Sequence, residues 1–408
     1  MAGTSKRRPA PDQEHRDNAV AERGRNVLLD AGAGTGKTTI LIDRLLRLLA
    51  PEDGADPIPI HRIAAVTFTR RAAGELRLRL RERLLAEAAR EDPSVERRDA
   101  LRRAIAGVDA AHVGTIHSFA DRLLRLHPVE AGLSPSYEIV EDVDELVDET
   151  LHDLLHGAHT GTLGGMLRGT EASSRAAEVE ETVRKALDAG VPAGSKRSRH
   201  RTVFGLRDLI AGFAEHRDVP PEDPAIEEFD PRPFREKADA FIDMVGAVPE
   251  NPAAEGTKWL HETASLLRRY RAHTDPAKTY REMYWPLTHA PNDNRPRKKD
   301  EFVGDAAAYD AWKTYDGSQT GENKGRPALR DEILAPFRRW LAVRLVRTFP
   351  AVVALYERAK ARRRVLDQID LLVKLRDMLR KNPDIRGEYR RLFDHVLIDE
   401  FQDTDPLQ

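Results

Sequence analysis

Four short apolar runs, each followed by a polar or glycine-containing turn, stand out along the chain. They are Val27–Asp30, Ile63–Phe68, His112–Ile116 and His395–Asp399. Amphipathic patterns with apolar residues at helical spacing lie between the first three runs, over Thr38–Leu49 and Arg71–Arg90. Short apolar strands that alternate with helices are typical of a parallel sheet covered by helices. The pattern therefore predicts an α/β fold with four strands.

A second domain is expected between the third and fourth runs, because the intervening segment is too long for a single crossover. Helical patterning recurs in it over Glu138–Leu155, Ala176–Ala189, Phe204–His216, Pro233–Val248 and Lys258–His273. Between Trp285 and Pro327 the periodicity fails and Tyr309, Trp312 and Tyr315 are scattered among polar residues, which indicates a long loop or mobile excursion. An amphipathic stretch from Leu329 to Leu379, broken near Pro350, leads back to the sheet.

These patterns predict the domain organisation. We expect a disordered tail over residues 1–10, the first part of the sheet domain over 11–140, a mostly helical inserted domain over 141–345, and a return to the sheet over 346–408.

Composition narrows the class of protein. Of the 408 residues, 40% are hydrophobic and 33% are charged, which is typical of a soluble multidomain protein with a heavily charged surface. No run approaches the roughly 18 apolar residues that a membrane helix needs, and the basic amino terminus has no apolar core, so we expect neither membrane association nor a secretory signal. Cysteine is absent, which excludes disulfides and fits a cytoplasmic location. The net charge of −2 argues against a uniformly basic surface, although a local basic groove remains compatible with it.

A phosphate-binding loop is predicted where the first apolar run meets the first helix. The nine residues concerned are Ala31, Gly32, Ala33, Gly34, Thr35, Gly36, Lys37, Thr38 and Thr39. Gly34 and Gly36 allow the backbone N–H groups to curl around phosphate oxygens at the helix amino terminus. Lys37 would reach the β- and γ-phosphates, and the Thr38 hydroxyl would bind Mg²⁺. Ala31 departs from the general motif, which has glycine there.

Two adjacent acids end the last apolar run. Phosphoryl transfer to water needs a carboxylate that holds Mg²⁺ and a second group that orients or deprotonates the water. Ligands of parallel sheets bind at the carboxyl ends of strands, so we predict that Asp399 holds the metal and Glu400 activates the water. Together with the phosphate-binding loop, this pair favours nucleotide hydrolysis over binding alone.

Read together, four motifs resemble the UvrD/Rep-like superfamily 1 DNA helicases, and more closely their RecB/AddA-like branch. The motifs are Ala-Gly-Ala-Gly-Thr-Gly-Lys-Thr (31–38), Val-Thr-Phe-Thr-Arg-Arg-Ala-Ala-Gly-Glu-Leu (66–76), Gly-Thr-Ile-His-Ser-Phe (114–119) and Ile-Asp-Glu-Phe-Gln-Asp-Thr-Asp-Pro-Leu-Gln (398–408). Alanine at the first position of the loop is usual in that family. The resemblance implies a RecA-like P-loop parallel sheet with helices on both faces, interrupted by a mostly helical inserted domain, and ATP with Mg²⁺ as ligands.

The resemblance also implies roles for other residues. Gln13 would read the adenine edge, and the alternative is a solvent-exposed glutamine. Gln402 would sense the γ-phosphate. Two turns would line a single-stranded DNA track, and their residues are Thr67, Phe68, Thr69, His117, Ser118 and Phe119. Aromatic rings there would stack on bases, while either phenylalanine taken alone could be an ordinary core residue.

Three further features have weaker support. The helix around Asp367 and Asp370 lacks the family's aromatic residue, since Gln368 stands in its place, so we expect a solvated helix face. Two basic clusters in polar loops would either contact duplex DNA or be simply solvated. Their residues are Lys196, Arg197, Arg199 and Arg201 in the first, and Arg295, Arg297, Lys298 and Lys299 in the second.

The family's second motor domain, which supplies arginines to the γ-phosphate, has no counterpart in the sequence. We therefore expect the chain to be a truncated product, a fragment or half of a split motor. We expect it to be weakly active or inactive alone. The first hypothesis is an ATP-dependent 3′–5′ DNA helicase or translocase of DNA repair. The alternative is an ATP- and single-stranded-DNA-binding module that needs a partner chain for turnover. A third hypothesis, an ATPase that acts on protein, has little support because of the two DNA-track motifs.

Overall fold

The computed structural model describes residues 12–32, 34–90, 94–194, 196–198, 201–251, 253–288, 302, 305–317, 328–405 and 407–408. The chain forms two compact units. The first combines the residues up to Glu141 with Arg364–Gln408, and the second is Asp142–Arg363. In the part of the chain that is described, no helix is both long and apolar enough to cross a membrane. The predicted tail over residues 1–10 lies outside the described residues.

The first unit begins with alternating helices and strands. They are α1 (Gln13–Ala21), α2 (Lys37–Leu49), β1 (Ile63–Thr67), α3 (Arg70–Ala88), α4 (Val95–Gly107), β2 (His112–Thr115), α5 (Ile116–Leu124) and β3 (Glu138–Ile139). The predicted helices over Thr38–Leu49 and Arg71–Arg90 correspond to α2 and α3.

The second unit is almost entirely helical. Its elements are α6 (Asp144–Thr160), α7 (Leu163–Met166), α8 (Ala176–Asp188), β4 (Lys196–Ser198), β5 (Arg201–Val203), α9 (Leu206–Glu215), α10 (Arg232–Gly246), α11 (Glu255–Tyr270), α12 (Pro276–Thr288), α13 (Ala306–Asp316), α14 (Leu329–Arg347) and α15 (Phe349–Arg363). The five predicted helical segments correspond to α6, α8, α9, α10 and α11.

The chain then returns to the first unit through β6 (Val365–Leu366), α16 (Gln368–Lys381), α17 (Pro383–Leu392) and β7 (His395–Ile398). The division at residues 363 and 364 lies later than the predicted return at 346. The reason is that α15 packs along α6, and Arg362 and Arg363 form ion pairs with Glu149 on that helix.

A three-stranded parallel sheet with the order β2-β1-β7 organises the first unit. All five residues of β1 are buried, and Ile63 and Ala65 pack into a core with helices α2 to α4. Two contacts secure β7 beside β1 despite the long insertion between them. Asp394 N donates to Arg62 O at 2.8 Å, and Arg62 Nε donates to Asp394 Oδ2 at 2.6 Å.

The predicted first strand, Val27–Asp30, is wrong as a sheet strand. The segment pairs with no strand in the described residues, and the Val27, Leu28 and Leu29 side chains are 40%, 78% and 37% exposed. Val396 and Ile398 of β7 are exposed as well, so this edge of the described sheet carries no further strand. The α/β prediction is confirmed with three strands in this sheet instead of four.

Two elements in the second unit also differ from the prediction. Within the segment predicted as a loop from 285 to 327, Ala306–Asp316 forms α13, because Ala308, Ala311 and Tyr315 pack into a helical core. Residues 196–198 and 201–203, predicted as a polar loop, form a two-stranded antiparallel sheet.

Candidate functional site

The phosphate-binding loop has the backbone that the sequence predicts. Gly34 and Gly36 have φ values of 77° and 92°, a left-handed conformation that glycine adopts without strain. Gly36 is the N-cap of α2, so the unpaired N–H groups and the positive end of that helix face the loop. The Thr35 hydroxyl donates to Gly32 O at 2.8 Å and closes the turn. Ala33 lies outside the described residues.

Lys37 links the loop to the carboxylate pair from the far end of the chain. Its Nζ donates to Ala31 O at 3.0 Å and lies 4.0 Å from Glu400 Oε2. A cavity of about 590 Å³ lies between these elements. Its lining includes Gly32, Gly34, Gly36, Lys37, Thr38, Thr39, Glu400 and Gln402. Loop and carboxylate motifs, separated by more than half of the chain, therefore meet in one cavity.

Asp399 follows β7 and is held against the sheet. Its N–H donates to Val66 O at 2.9 Å, which extends the pairing with β1 by one residue. Burial raises the pKa of its carboxyl group above the ordinary value, while hydrogen bonds from the Glu400 backbone and the Thr38 side chain act in the opposite direction. The structure thus brings together Thr38 and Asp399, the two residues predicted to hold a metal ion.

Glu400 has an unusual backbone conformation. Its φ of 55° is left-handed, which costs a non-glycine residue free energy and is often associated with functional sites. The turn lets Asp399 and Glu400 lie side by side at the end of one strand. Gln402, in the short helical turn that follows, donates a hydrogen bond from its amide to the Glu400 carboxylate. Glu400 and Gln402 therefore form one polar pair that lines the cavity, directly after Asp399 in the chain.

Arg79 was not predicted as a site residue, yet it lines the same cavity from α3. It forms an ion pair with Glu75, one turn earlier on that helix. The alternation of arginine and leucine from Arg77 to Arg81 gave no signal that one of these arginines faces the loop. The position of Arg79 at the loop becomes evident only from the packing of α3 beside the sheet.

Gln13, the predicted adenine-reading residue, begins α1 and is exposed. Its Nε2 donates to Asp17 Oδ1 at 2.8 Å. A cavity of about 550 Å³ beside the loop is lined by Asp12, His15 and Arg16 from this helix, and not by Gln13. Arg16 was not predicted, and its Nη1 donates to Thr35 O at 2.9 Å in the loop itself.

The two turns predicted to line a DNA track lie together, because β1 and β2 are adjacent parallel strands. Each turn leads directly into a helix whose first residues are capped by threonine. Thr69 accepts from Ala72 N at 3.1 Å, and Thr115 accepts from Ser118 N at 3.1 Å. A cavity of about 650 Å³ opens beside the two helix starts, lined by Phe68, His117 and Ser118.

Three of the predicted track residues do not present free groups to this cavity. Thr67 is buried, and its hydroxyl has no hydrogen-bond partner among the described atoms. The Phe119 ring packs against the Phe393 ring with centroids 5.4 Å apart, as a core residue would. Ser118 Oγ already donates to Thr115 O at 2.8 Å, so it has no proton left for a phosphate oxygen.

Charges around this second cavity are balanced. Arg70 forms an ion pair with Glu141, and Arg77 Nη2 donates to Val113 O at 2.5 Å. Asp121 also lines the cavity and accepts from the Tyr137 hydroxyl at 2.6 Å. Burial lowers the pKa of His117, which favours its neutral form at pH 7. If a nucleic acid binds in this cavity, the available contacts are stacking and helix amino termini, and not net positive charge.

The helix after the insertion also contradicts its prediction. Asp367 and Asp370 are both buried instead of solvated, because each side chain accepts from the backbone N–H of the other at the start of α16. The neighbouring Gln368 lines the second cavity.

The basic clusters cannot be placed around either cavity. Arg199 and the cluster Arg295, Arg297, Lys298 and Lys299 lie outside the described residues, and for Lys196, Arg197 and Arg201 the structure describes only the backbone.

Comparisons with known proteins agree with the motifs. The sequence profile of the UvrD/REP helicase N-terminal domain matches residues 12–408. A protein from Moorella thermoacetica that is named as one subunit of an ATP-dependent helicase/nuclease is 38% identical over 144 residues, which are 35% of this chain and 10% of the relative. The protein of the same name from Geobacillus thermodenitrificans is 33% identical over 146 residues, 35% of this chain and 11% of the relative.

The matched region thus spans about a tenth of the length of these relatives.

Among the described residues, no group of three or more histidine or acidic side chains is arranged to hold a metal ion. Any divalent cation would therefore need oxygen ligands from a bound phosphate as well as from Thr38 and Asp399.

Proposed function

The chain belongs to the UvrD/REP helicase N-terminal domain family, and from this premise we propose that it is the ATP-binding part of a DNA helicase or translocase motor of the repair type. The observation that carries the proposal is the distance of 4.0 Å between Lys37 Nζ and Glu400 Oε2. Lys37, which would bind phosphate, and Glu400, which would act as a general base, line one cavity. Family membership supports a RecA-like arrangement for this unit.

The side chains around the first cavity support hydrolysis of a nucleoside triphosphate. Lys37 and the N–H groups at the start of α2 would bind the β- and γ-phosphates, and Arg79 would add a second cation. Glu400 would accept the proton of a water whose oxygen attacks the γ-phosphorus, as the bond to the bridging oxygen breaks. Gln402, which is hydrogen-bonded to Glu400, would respond to whether the γ-phosphate is present.

A magnesium ion fits the remaining oxygens. The Thr38 hydroxyl lies near the Asp399 carboxylate, and ionisation of the half-buried Asp399 would be favoured by a cation beside it. Bound Mg²⁺ would neutralise phosphate charge during the reaction. Asp399 would hold the ion in position, either directly or through water.

DNA binding is proposed for the second cavity. The amino termini of α3 and α5 would receive a backbone phosphate, and the half-buried Phe68 ring would stack on a base. Movement from 3′ to 5′, a second motor domain or partner chain, and duplex contacts by the second unit are proposed from the family resemblance alone. Displacement of streptavidin from either end of a biotinylated oligonucleotide tests the direction of movement.

The proposal predicts that the purified chain binds Mg·ATP, that hydrolysis is slow without further motor domains, and that single-stranded DNA stimulates it. We would measure binding and hydrolysis with and without a single-stranded oligonucleotide for the wild type and Lys37→Ala. Loss of the charged hydrogen-bond donor should weaken ATP binding by about 100-fold.

A matched control is Lys185→Ala, which removes a half-buried lysine on α8 that pairs with Glu181. Binding that is equal in the wild type and Lys37→Ala would contradict the nucleotide site. Hydrolysis that is indifferent to DNA would favour an ATPase that acts on another substrate. Binding with negligible turnover in every condition would favour the binding module that needs a partner chain.

A further inference from the structure

We propose that a groove on the second unit binds an extended segment of a partner protein that carries basic side chains beside apolar ones. The groove is a cavity of about 870 Å³ between α10, α14 and residues 224–230, an irregular stretch before α10 that we call the rim segment. The inference concerns an interaction surface, and it does not depend on the proposed nucleotide or DNA function.

The rim segment is fixed at both of its ends. Arg347 Nη1 donates to Pro224 O at 2.8 Å, and the Phe229 ring stacks on Phe337 of α14 with centroids 4.8 Å apart. Residues 225–228, between these two contacts, are exposed. The segment therefore forms one fixed wall, and the groove lies between this wall and the two helices.

One face of α14 forms the opposite wall. Its lining positions follow helical spacing from Glu332 to Arg344, a distance of about 18 Å at 1.5 Å per residue. An extended chain rises about 3.3 Å per residue, so about six residues would span the groove. The groove therefore has the length of a short peptide segment.

The walls offer apolar contacts and a hydrogen-bond acceptor. Phe229, Trp340 and the half-buried Val343 line the groove, so they would cover an apolar side chain of a bound segment. Pro336 also lines it and has no N–H, which leaves the Glu332 carbonyl without its usual helical donor. A backbone N–H of the bound segment would satisfy that carbonyl.

Part of the charge around the groove is already neutralised. Lys237 Nζ lies 2.9 Å from Glu332 Oε2, and Arg232 Nη2 lies 2.8 Å from Asp230 Oδ2. The Arg344 guanidinium lies over the tryptophan ring that lines the groove, 4.7 Å from its centroid. The remaining charges decide which ligand the groove attracts.

These remaining charges favour a basic ligand. Glu227, Glu228 and Glu236 line the groove from the rim segment and α10, and they form no ion pair with any described residue. The guanidinium groups of Arg339 and Arg344 lie on the other wall, on α14. Lysine or arginine side chains of a bound segment would therefore point towards the rim segment and α10. The phosphates of a nucleic acid would be repelled by the three carboxylates.

The test is fluorescence anisotropy of labelled short peptides mixed with the whole chain. The probe alternates arginine with leucine, and two matched peptides replace either every arginine with glutamate or every leucine with serine. We expect the probe to bind more tightly than both matched peptides, by about tenfold over the glutamate peptide, because several ion pairs become repulsive contacts.

Two variants locate the site. Ala335→Trp fills the groove from an exposed position of α14, and it should weaken binding of the probe by about tenfold because a leucine side chain loses its cover. Glu227→Gln combined with Glu236→Gln leaves the shape intact, so it should weaken binding by a fewfold and reduce its dependence on salt. Thermal unfolding of each variant shows whether the fold is retained.

Matched controls lie on the same unit, outside the lining of the groove. Ala307→Trp adds the same side chain at an exposed position of α13, and Glu250→Gln combined with Glu262→Gln removes two exposed carboxylates. Both controls should bind the probe as the wild type does.

Three results would overturn the assignment. In the first, the probe binds no more tightly than the glutamate peptide. In the second, the Ala335→Trp variant and the paired glutamine variant bind the probe like their controls, which would place the peptide elsewhere. In the third, sedimentation velocity shows a dimer of the chain that Ala335→Trp abolishes and Ala307→Trp keeps, so that the groove is occupied by a second copy. All three would leave the proposed nucleotide site intact.

Discussion

The two cavities of the first unit lie at the carboxyl ends of the same small sheet but are built in different ways. The phosphate-binding loop obtains its shape from backbone geometry, with left-handed glycines and the start of α2. The cavity between the turns after β1 and β2 depends on side-chain directions, since Phe68 lines it while Thr67 is buried and the half-buried Phe119 packs on Phe393.

The lining charges of the two cavities are alike in number. Lys37 and Arg79 stand with Asp30 and Glu400 in the loop cavity, and Arg70 and Arg77 stand with Asp121 and Glu141 in the second cavity. The loop cavity adds left-handed glycines and the unpaired N–H groups at the start of α2, which suit phosphate oxygens. We therefore expect strong binding of a triphosphate at the loop, and weaker binding dominated by stacking at the second cavity.

The largest effect should come from Glu400→Gln. The amide keeps the shape and can still contact Gln402, but it cannot accept a proton from the attacking water. General-base catalysis contributes about 10²–10⁴ in rate, so DNA-stimulated ATP hydrolysis should fall by that factor while ATP binding stays within a fewfold of the wild type. Steady-state hydrolysis and equilibrium binding measure the two quantities separately.

Asp403→Asn is the control for this substitution, because it removes an exposed acid in the turn that follows Glu400. An equal loss of hydrolysis in both variants would mean that the charge of the segment matters and not the proton acceptor. Unchanged hydrolysis in Glu400→Gln would exclude Glu400 as the base.

A smaller effect should separate the two phenylalanines of the second cavity. Phe68→Ala should weaken single-stranded DNA binding by about tenfold, since stacking of one base on an aromatic ring contributes about 1–3 kcal/mol. Phe119→Ala should leave DNA affinity nearly unchanged and lower the free energy of unfolding by about 2 kcal/mol, because it removes a ring that packs on Phe393. Fluorescence anisotropy with a labelled oligonucleotide and thermal unfolding measure these effects.

Phe68→Trp provides the matched control, since it preserves an aromatic face and should preserve affinity. If Phe119→Ala weakens DNA binding and Phe68→Ala does not, the DNA track follows the other turn and the observed packing of Phe119 changes when DNA binds.

The residues of the loop cavity were easier to predict from the sequence than those of the second cavity, because backbone geometry is encoded locally and side-chain directions are not. The loop, Lys37, Thr38, Asp399 and Glu400 were predicted by motif, and the structure brings them together because glycines and strand ends fix the backbone locally. The directions of Phe119 and Thr67 depend on packing against Phe393 and on the depth of β1, which no local pattern encodes. The roles of all these residues stay predictions.

The fold shows the same limit. Helices such as α2 and α10 were predicted because one face is apolar, whereas α13 was missed because its few buried residues, Ala308, Ala311 and Tyr315, lie in a polar segment. Val27–Asp30 has the composition of a strand, but a strand exists only where a neighbouring backbone accepts and donates hydrogen bonds. Such long-range pairing cannot be read from one segment.

A still smaller effect is expected from Glu141→Gln. The substitution removes the carboxylate that pairs with Arg70, so the guanidinium becomes available to a phosphate. Single-stranded DNA binding should tighten by a fewfold, and the slope of affinity against salt concentration should steepen by about one phosphate contact. Weaker binding in this variant would mean that the ion pair with Arg70 is needed to shape the cavity.

The smallest effect concerns the stability of the nucleotide-free chain. Folding raises the pKa of Asp399 above its value in the unfolded chain, chiefly through burial. The folded state then binds more protons between those two pKa values, so the stability of the wild type falls as the pH rises through this window and stays lower above it. Asp399→Asn removes this dependence and should raise the melting temperature by a small amount at pH 7.

The gain should shrink as the pH is lowered through the pKa of folded Asp399 and vanish below the ordinary value of 3.8. Thermal unfolding of both proteins from pH 7 to about pH 3, with Asp403→Asn as the exposed control, measures the difference at each pH. If Asp399→Asn is less stable than the wild type at pH 7, the contacts that the carboxylate makes outweigh the cost of burying its charge. A gain would mean that the chain loses stability through the carboxylate that we propose to hold Mg²⁺.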